Sequence, residues 1–226
     1  MQDFAFRYAV RETMGLAFMG VALFWSAGRL NWWPGWAALA LMAGWSIAIA
    51  IVILRSNPQL LAERLGPRRG GKPGDVAIVS SMGLIQLARY VVAGLDQRFG
   101  WSDDFTVGAQ LAALAVCILG HALFVWAVAS NAYFSQIVRI QTERGHAVVS
   151  GGPYHYVRHP AYIASILFEL GVAILLASWD ALIASGFTTL LLILRTGLED
   201  RTLQGELAGY AAYASQVRYR LIPGIW

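Results

Sequence analysis

Of 226 residues, 58% are hydrophobic and only 13% are charged, about half the charged share of an ordinary soluble domain, which excludes a water-soluble globule. One cysteine in the whole chain excludes a disulfide framework and a multi-cysteine zinc site. The net charge of +4 is not gathered into the solvated basic face that nucleic acid requires, so a one-domain polytopic membrane protein remains.

Charge-free stretches separate Glu12 from Arg29, Arg29 from Arg55 and Asp104 from Arg139, each close to or longer than the roughly 20 residues of a bilayer-spanning helix. In chain order the sequence predicts spans over 13–28, 35–54, 76–95, 106–130, 160–178 and 181–194. The first lacks a small-residue cleavage site after a short apolar core and reads as a retained helix. The fifth and sixth meet at Trp179 and Asp180 and are short, which predicts a tight helical hairpin that need not cross the bilayer fully. The expected fold is all-α, with about five to six transmembrane helices. Residues 1–130 form the N-terminal helices and 131–226 a core that carries the chemistry, within one structural unit.

With a cytoplasmic N-terminus, Arg7, Arg11, Arg55, Arg64, Arg68, Arg69, Lys72, Arg139, Arg144, Arg158, Arg195, Arg201, Arg218 and Arg220 all fall on the cytoplasmic side. The other side receives only Arg29 and Arg98, and Arg89 lies inside the third span. Flanking basic residues favour the cytoplasmic face, so both termini are expected there. The Gly/Pro/Arg segment between Arg55 and Asp75 reads as a solvated loop against anionic lipid headgroups.

Between the fourth and fifth spans the polar residues stop being mere loop punctuation. Arg139, Gln141, Arg144 and His146 are followed by Val148, Val149 and the turn Gly151-Gly152-Pro153-Tyr154, then by Arg158-His159-Pro160 and Tyr162. Hydrogen-bonding side chains, two tyrosines and a turn whose backbone can approach a ligand closely make a pocket wall. Pro160 suits the first turn of a helix and puts His159 near its N-cap, an end that attracts anions. Tyr162, Ser165 and Glu169 share one face of that helix. A carboxylate in an apolar span marks a functional site or, equally, a structural partner for Arg89. Arg195 and Glu199 stand one turn apart, and alone they read as an ordinary i,i+4 pair. His155 and His159 have no third convergent ligand in sequence, so no metal site is read. Cys117, mid-span with no neighbouring base, reads as a small apolar residue.

Gln141, the Gly-His146-x-Val-Val149 run, Gly152-x-Tyr154, Arg158-His159-Pro160-x-Tyr162, Arg195-x-x-x-Glu199, Tyr210, Tyr213 and the Arg-Leu-Ile-Pro ending together resemble the isoprenylcysteine carboxyl methyltransferase family. That family is part of a wider group of integral-membrane methyltransferases that includes phospholipid N-methyltransferases. The match covers roughly 131–226; the first three spans match only as generic hydrophobic helices. The resemblance implies S-adenosylmethionine as methyl donor, bound by a cytoplasmic C-terminal pocket. Carried over, Gln141, His146, Ala147, Val148, Val149, Gly152, Tyr154, His159, Tyr162 and Glu199 look like cofactor contacts. Arg195 looks like the residue that holds the methyl acceptor, with Arg195 and Glu199 at the centre of the chemistry and Glu169 beside the acceptor. The family often has glycine where Ala164 stands and glutamate where Asp200 stands.

The chemistry fits these residue types. Methyl transfer needs two positioned, desolvated partners and no covalent nucleophile. A carboxylate acceptor is gripped by a two-pronged arginine without a general base, whereas an amine requires a base, with Glu169 or Glu199 as candidates. No G-x-G occurs in the chain, so the glycine-rich nucleotide fingerprint is absent. The expected acceptor is lipophilic and drawn from the bilayer, most like a prenylated cysteine. A lipid amine or small thiol is the enzymatic alternative, and a non-catalytic membrane carrier or sensor the alternative of another class.

Overall fold

The computed structural model describes residues 2–56 and 72–226, all of them helical or irregular. Its helices are α1 (Gln2–Ala27), α2 (Trp33–Ser56), α3 (Pro73–Phe99), α4 (Val107–Ser130), α5 (Pro160–Leu175), α6 (Trp179–Glu206) and the short α7 (Tyr210–Gln216). Two 3-10 turns, Thr142–Arg144 and Gly152–His155, interrupt the segment between α4 and α5. Most of the Gly/Pro/Arg loop, with Arg64, Arg68, Arg69 and Gly71, lies outside the described residues.

By length and composition α2, α3, α4 and α6 are each able to cross a membrane, with α5 as a shorter apolar helix, and the protein is an integral membrane protein of helical type. Side by side, the helices run α1, α3, α6, α5, α4, α2 and back to α1. The ring therefore does not follow chain order, because α6 inserts between α3 and α5.

Two predicted elements differ. The sixth span is not a short hairpin arm but part of a continuous 28-residue helix, so Arg195, Glu199 and Asp200 lie on α6 rather than after it. Apolarity stops near Leu194, yet the helix continues because other segments supply partners for its charges: Asp75 for Arg195, Tyr162 for Glu199 and Arg158 for Asp200. Likewise α1 begins well before residue 13; Arg7 and Arg11 are exposed there, where a charge costs a helix little.

The end of the ring away from these charges is closed by local chemistry. Thr106 accepts the Ala109 N–H and Ser178 the Ala181 N–H, each at 3.1 Å, which caps α4 and α6. Gly100 ends α3 with a left-handed φ of 65° and donates to the Asp96 carbonyl. The Asp96 carboxylate accepts both the N–H and the hydroxyl of Ser102, whose oxygen accepts the Trp179 N–H. Above this cap Leu23, Phe24, Trp32, Tyr90, Phe168 and Leu175 fill the principal core. Close helix approaches fall at small residues, as expected without a hydrophobic force between helices in lipid: a Cβ on Gly94 would stand 1.9 Å from Ser26 Oγ, and one on Gly120 3.0 Å from the Ala164 carbonyl. Ala164 is thus accommodated by a glycine on the facing helix.

Candidate active site

The segment between α4 and α5 is folded by its own polar groups. Asn131 Oδ1 accepts the Tyr133 N–H, and Asn131 Nδ2 donates to the Tyr154 hydroxyl. Fully buried Gln141 donates to the Tyr133 carbonyl at 2.6 Å and accepts from Arg144. Tyr133 stacks on His146 with ring centroids 4.5 Å apart, and its hydroxyl donates to the Gly145 carbonyl. The Gln141 N–H donates to His146 Nδ1 at 3.3 Å. Burial first, and then the Arg144 and Arg139 cations, hold the His146 imidazolium below its ordinary pKa, which keeps Nδ1 an acceptor.

The Arg-His-Pro element is stapled to the last residues. Arg158 N–H donates to the Tyr219 carbonyl and His159 N–H to the Arg220 carbonyl. The Arg158 guanidinium reaches the Val217 and Arg218 carbonyls at 2.7 and 2.8 Å. All of this converges on Asp200, which is wholly buried. Its carboxylate is bonded to Arg158 Nε and Nη2, His159 Nε2, Gln204, the Tyr210 hydroxyl and Arg220 Nε. A buried carboxylate is tolerated only when paired and hydrogen-bonded, and Asp200 is the tie that makes one body of α5, α6, α7 and the tail. Tyr213 donates to the Tyr154 carbonyl at 2.7 Å. Burial raises the Tyr213 phenol to about 12 and the Tyr154 and Tyr210 phenols still further, so all three remain protonated donors.

Against this body lies a cavity of about 550 Å³, lined from all six long helices and of the size of small-molecule sites. Its polar wall is made by His146, Tyr154, His159, Tyr162, Glu199 and Tyr210, and its apolar lining by Met19, Met42, Trp45, Ile49, Met82 and Phe168. Ala147, Val148 and Val149 also line the polar part.

The structure brings most of the expected residues to this one space, with three corrections. Gln141 and Gly152 are not on the cavity wall: Gln141 braces the loop from within, and a Cβ on Gly152, whose φ is +59°, would stand 2.3 Å from Ser130 Oγ. Gly152 is required by packing on the end of α4. Arg195 does not pair with Glu199. Its Nε and Nη2 donate to Asp75 Oδ1 and Oδ2 at 2.6 and 3.1 Å, and Nη2 donates also to the Gln136 carbonyl at 2.8 Å. Among the described residues Nη1 has no hydrogen-bond partner. Glu199 instead accepts the Tyr162 hydroxyl at 2.5 Å. The third concerns Glu169, which has the structural partner: it is ion-paired with Arg89, both side chains buried, and accepts from Gln86 at 2.7 Å. Glu169, Arg89 and Gln86 nonetheless border the cavity at depth.

Asp75 was missed. It lies 120 positions from Arg195, at the edge of the segment that reads as a solvated loop, and no spacing rule links the two. Only the adjacency of α3 and α6, out of chain order, brings them together.

A ring of apolar helices around a chamber lined by polar and apolar groups together defines an integral-membrane protein with an internal cavity. Residues 113–205 match the model of the isoprenylcysteine carboxyl methyltransferase (ICMT) family. The protein-S-isoprenylcysteine O-methyltransferase of Tribolium castaneum is 24% identical over 182 residues, 77% of this chain and 60% of the relative. The Schizosaccharomyces pombe protein of the same name is 37% identical over 71 residues, 31% of this chain and 30% of the relative. The chain thus aligns with less than two thirds of these relatives' length. The solved eukaryotic intramembrane Ras methyltransferase ICMT shares the fold, with a TM-score of 0.53 at 20% identity over 92% of this chain and 75% of that one.

Proposed function

We propose that the protein is an S-adenosylmethionine-dependent methyltransferase that esterifies the carboxylate of a prenylated cysteine. The observation that carries this is the single cavity that joins Arg195 and Glu199 to an apolar chamber between the helices, which matches an acceptor with a charged head and a hydrocarbon tail. The two named relatives support the same reading.

The polar wall fits the donor. It offers the His146–Val149 segment, Tyr154, His159, Tyr162 and Glu199 around the start of α5, with His146 neutral and the Tyr154 phenol protonated, so hydrogen bonds can be given and taken there at neutral pH. Bound there, the donor would supply a methyl on a sulfonium sulfur, whose transfer to the acceptor oxygen would break the carbon–sulfur bond and leave its electron pair on sulfur. Arg195 binds the acceptor carboxylate, through Nη1 because its other edge is taken. Glu199, fixed by Tyr162, puts negative charge beside the donor's cation. The apolar walls exclude water, which raises the reactivity of a carboxylate nucleophile. A lipid amine would need a base, and the pairing of Glu169 with Arg89 and of Glu199 with Tyr162 speaks against it. The basic residues that flank the helices, Arg29 and Arg98 apart, fall in segments on one side of the spans, which supports a cytoplasmic orientation for both termini.

Purified protein in detergent, given methyl-labelled S-adenosylmethionine and a panel of prenyl-cysteines, lipid amines and thiols, should label only the prenyl-cysteines, as base-labile esters. Transfer to amines or thiols alone overturns the acceptor; binding of S-adenosylhomocysteine without any transfer favours the carrier reading. On the same protein Arg195→Lys loses the planar fork. Turnover should fall ten- to a hundredfold, about 1.4–2.7 kcal/mol, with S-adenosylhomocysteine affinity little changed.

A further inference from the structure

We infer that Asp75, at the start of α3, is a positioning residue that sets the guanidinium of Arg195 for the acceptor carboxylate from behind the cavity wall; the inference rests on the acceptor reading proposed above. Asp75 is 7% exposed and forms a two-pronged pair with Arg195. Arg195, Gln136 and Val138 all line the cavity, and Asp75 does not. Its carboxylate therefore does not occupy the space an acceptor would take; it grips the far edge of the guanidinium and leaves Nη1 unpartnered among the described residues.

The fork is planar, so a carboxylate bonded to Nε and Nη2 fixes the whole group in one plane. That plane is defined from two further sides. Gln136 accepts from Nη2, and the guanidinium carbon stands 5.6 Å from the centroid of the Tyr162 ring. Tyr162 in turn donates to Glu199. One chain of contacts, Asp75 to Arg195 to Tyr162 to Glu199, thus relates the acceptor side of the pocket to the donor side. Without Asp75 the arginine side chain regains rotamer freedom, at an entropic cost that each acceptor must meet on binding.

Asp75 has a second duty that a test must separate: its Oδ2 accepts the Val138 N–H at 2.8 Å and so tethers the loop that carries His146. Asp75→Asn keeps an oxygen for Val138 but loses the charge and one acceptor of the fork. Asp75→Ala loses both. In the labelled-methyl assay with a prenyl-cysteine acceptor, Asp75→Asn should raise the acceptor KM and lower kcat/KM at least tenfold. Calorimetric affinity for S-adenosylhomocysteine and Tm should stay within threefold and a few degrees of the parent. Combined with Arg195→Lys, its effect on kcat/KM should be far from additive, since both remove the same fork. Parent-like kcat/KM for Asp75→Asn overturns the inference. So does a loss of S-adenosylhomocysteine affinity in Asp75→Asn as large as its loss in kcat/KM, which moves the effect of Asp75 from the acceptor to the donor side. A parent protein that methylates no prenyl-cysteine overturns the acceptor reading, and the inference that rests on it falls with it.

Discussion

His146 is held neutral by burial and by two neighbouring cations, and its Nδ1 accepts the Gln141 N–H. Protonation removes that acceptor. A histidine whose folded pKa lies below its unfolded value contributes stability that is complete above about pH 6.5 and is lost as pH falls, because the unfolded chain then binds the extra proton. The Tm in detergent should therefore decline between pH 7.5 and 5.5, and the decline should be shallower in His146→Gln; equal slopes would remove His146 as the cause. Arg158 and Asp200 make a different point. Both stand in or beside motifs that carry the chemistry, yet Asp200 bonds Arg158, His159, Gln204, Tyr210 and Arg220 and does not line the cavity, while Arg158 borders it and is tied to Asp200 and the tail. A motif shows that residues are used together, not which of them faces the ligand. Gln141 and Gly152 illustrate this, since one is fully buried and the other is pressed on Ser130.

Helix packing sets where substitution is tolerated. A Cβ on Gly94 would meet Ser26 Oγ at 1.9 Å, the Leu23 carbonyl at 2.6 Å and the Ala27 nitrogen at 2.9 Å, two of them backbone, whereas one on Gly15 meets nothing within 4 Å. Gly94→Ala should cost about 1–3 kcal/mol or more by overpacking the α1–α3 crossing, seen as a lowered Tm. Gly15→Ala should be neutral or slightly stabilising, because alanine favours the helix. Equal Tm values for the two variants would mean that the crossing relaxes freely. The spans themselves were legible in the sequence wherever charge-free runs were long, as in α2 and α4. Legibility failed at α6, because hydropathy reports where apolar residues end and not where a helix ends. Its last three turns persist through charges satisfied by α3, α5 and the tail, none of which adjoins them in sequence.

For the molecule as a whole, the uneven distribution of basic residues gives a topology that labelling can read. Cys117 is fully buried, so its replacement by alanine yields a quiet background. Cysteines at exposed Ser150 and Asp103 should then react from opposite faces of sealed vesicles, Ser150→Cys from the cytoplasmic one. Reaction of both from one face would overturn the orientation. The ring order was not legible beforehand: hydropathy gives the number of spans, and adjacency follows from side chains such as Asp75 and Arg195 that meet across 120 residues.

That separation also has a consequence in time. At about 5–20 residues per second during synthesis, Arg195 emerges roughly 6–24 s after Asp75, and Arg220, which completes the Asp200 cluster, emerges later still. Until then α3 carries an unpaired carboxylate at the end where it meets water, and the lining of α6 is missing from the wall. The first five helices therefore stand as an open arc, α3, α1, α2, α4 and α5, which the last long helix closes. Nascent chains pass through the membrane machinery with no finished chamber in which a lipid or a donor molecule can be trapped.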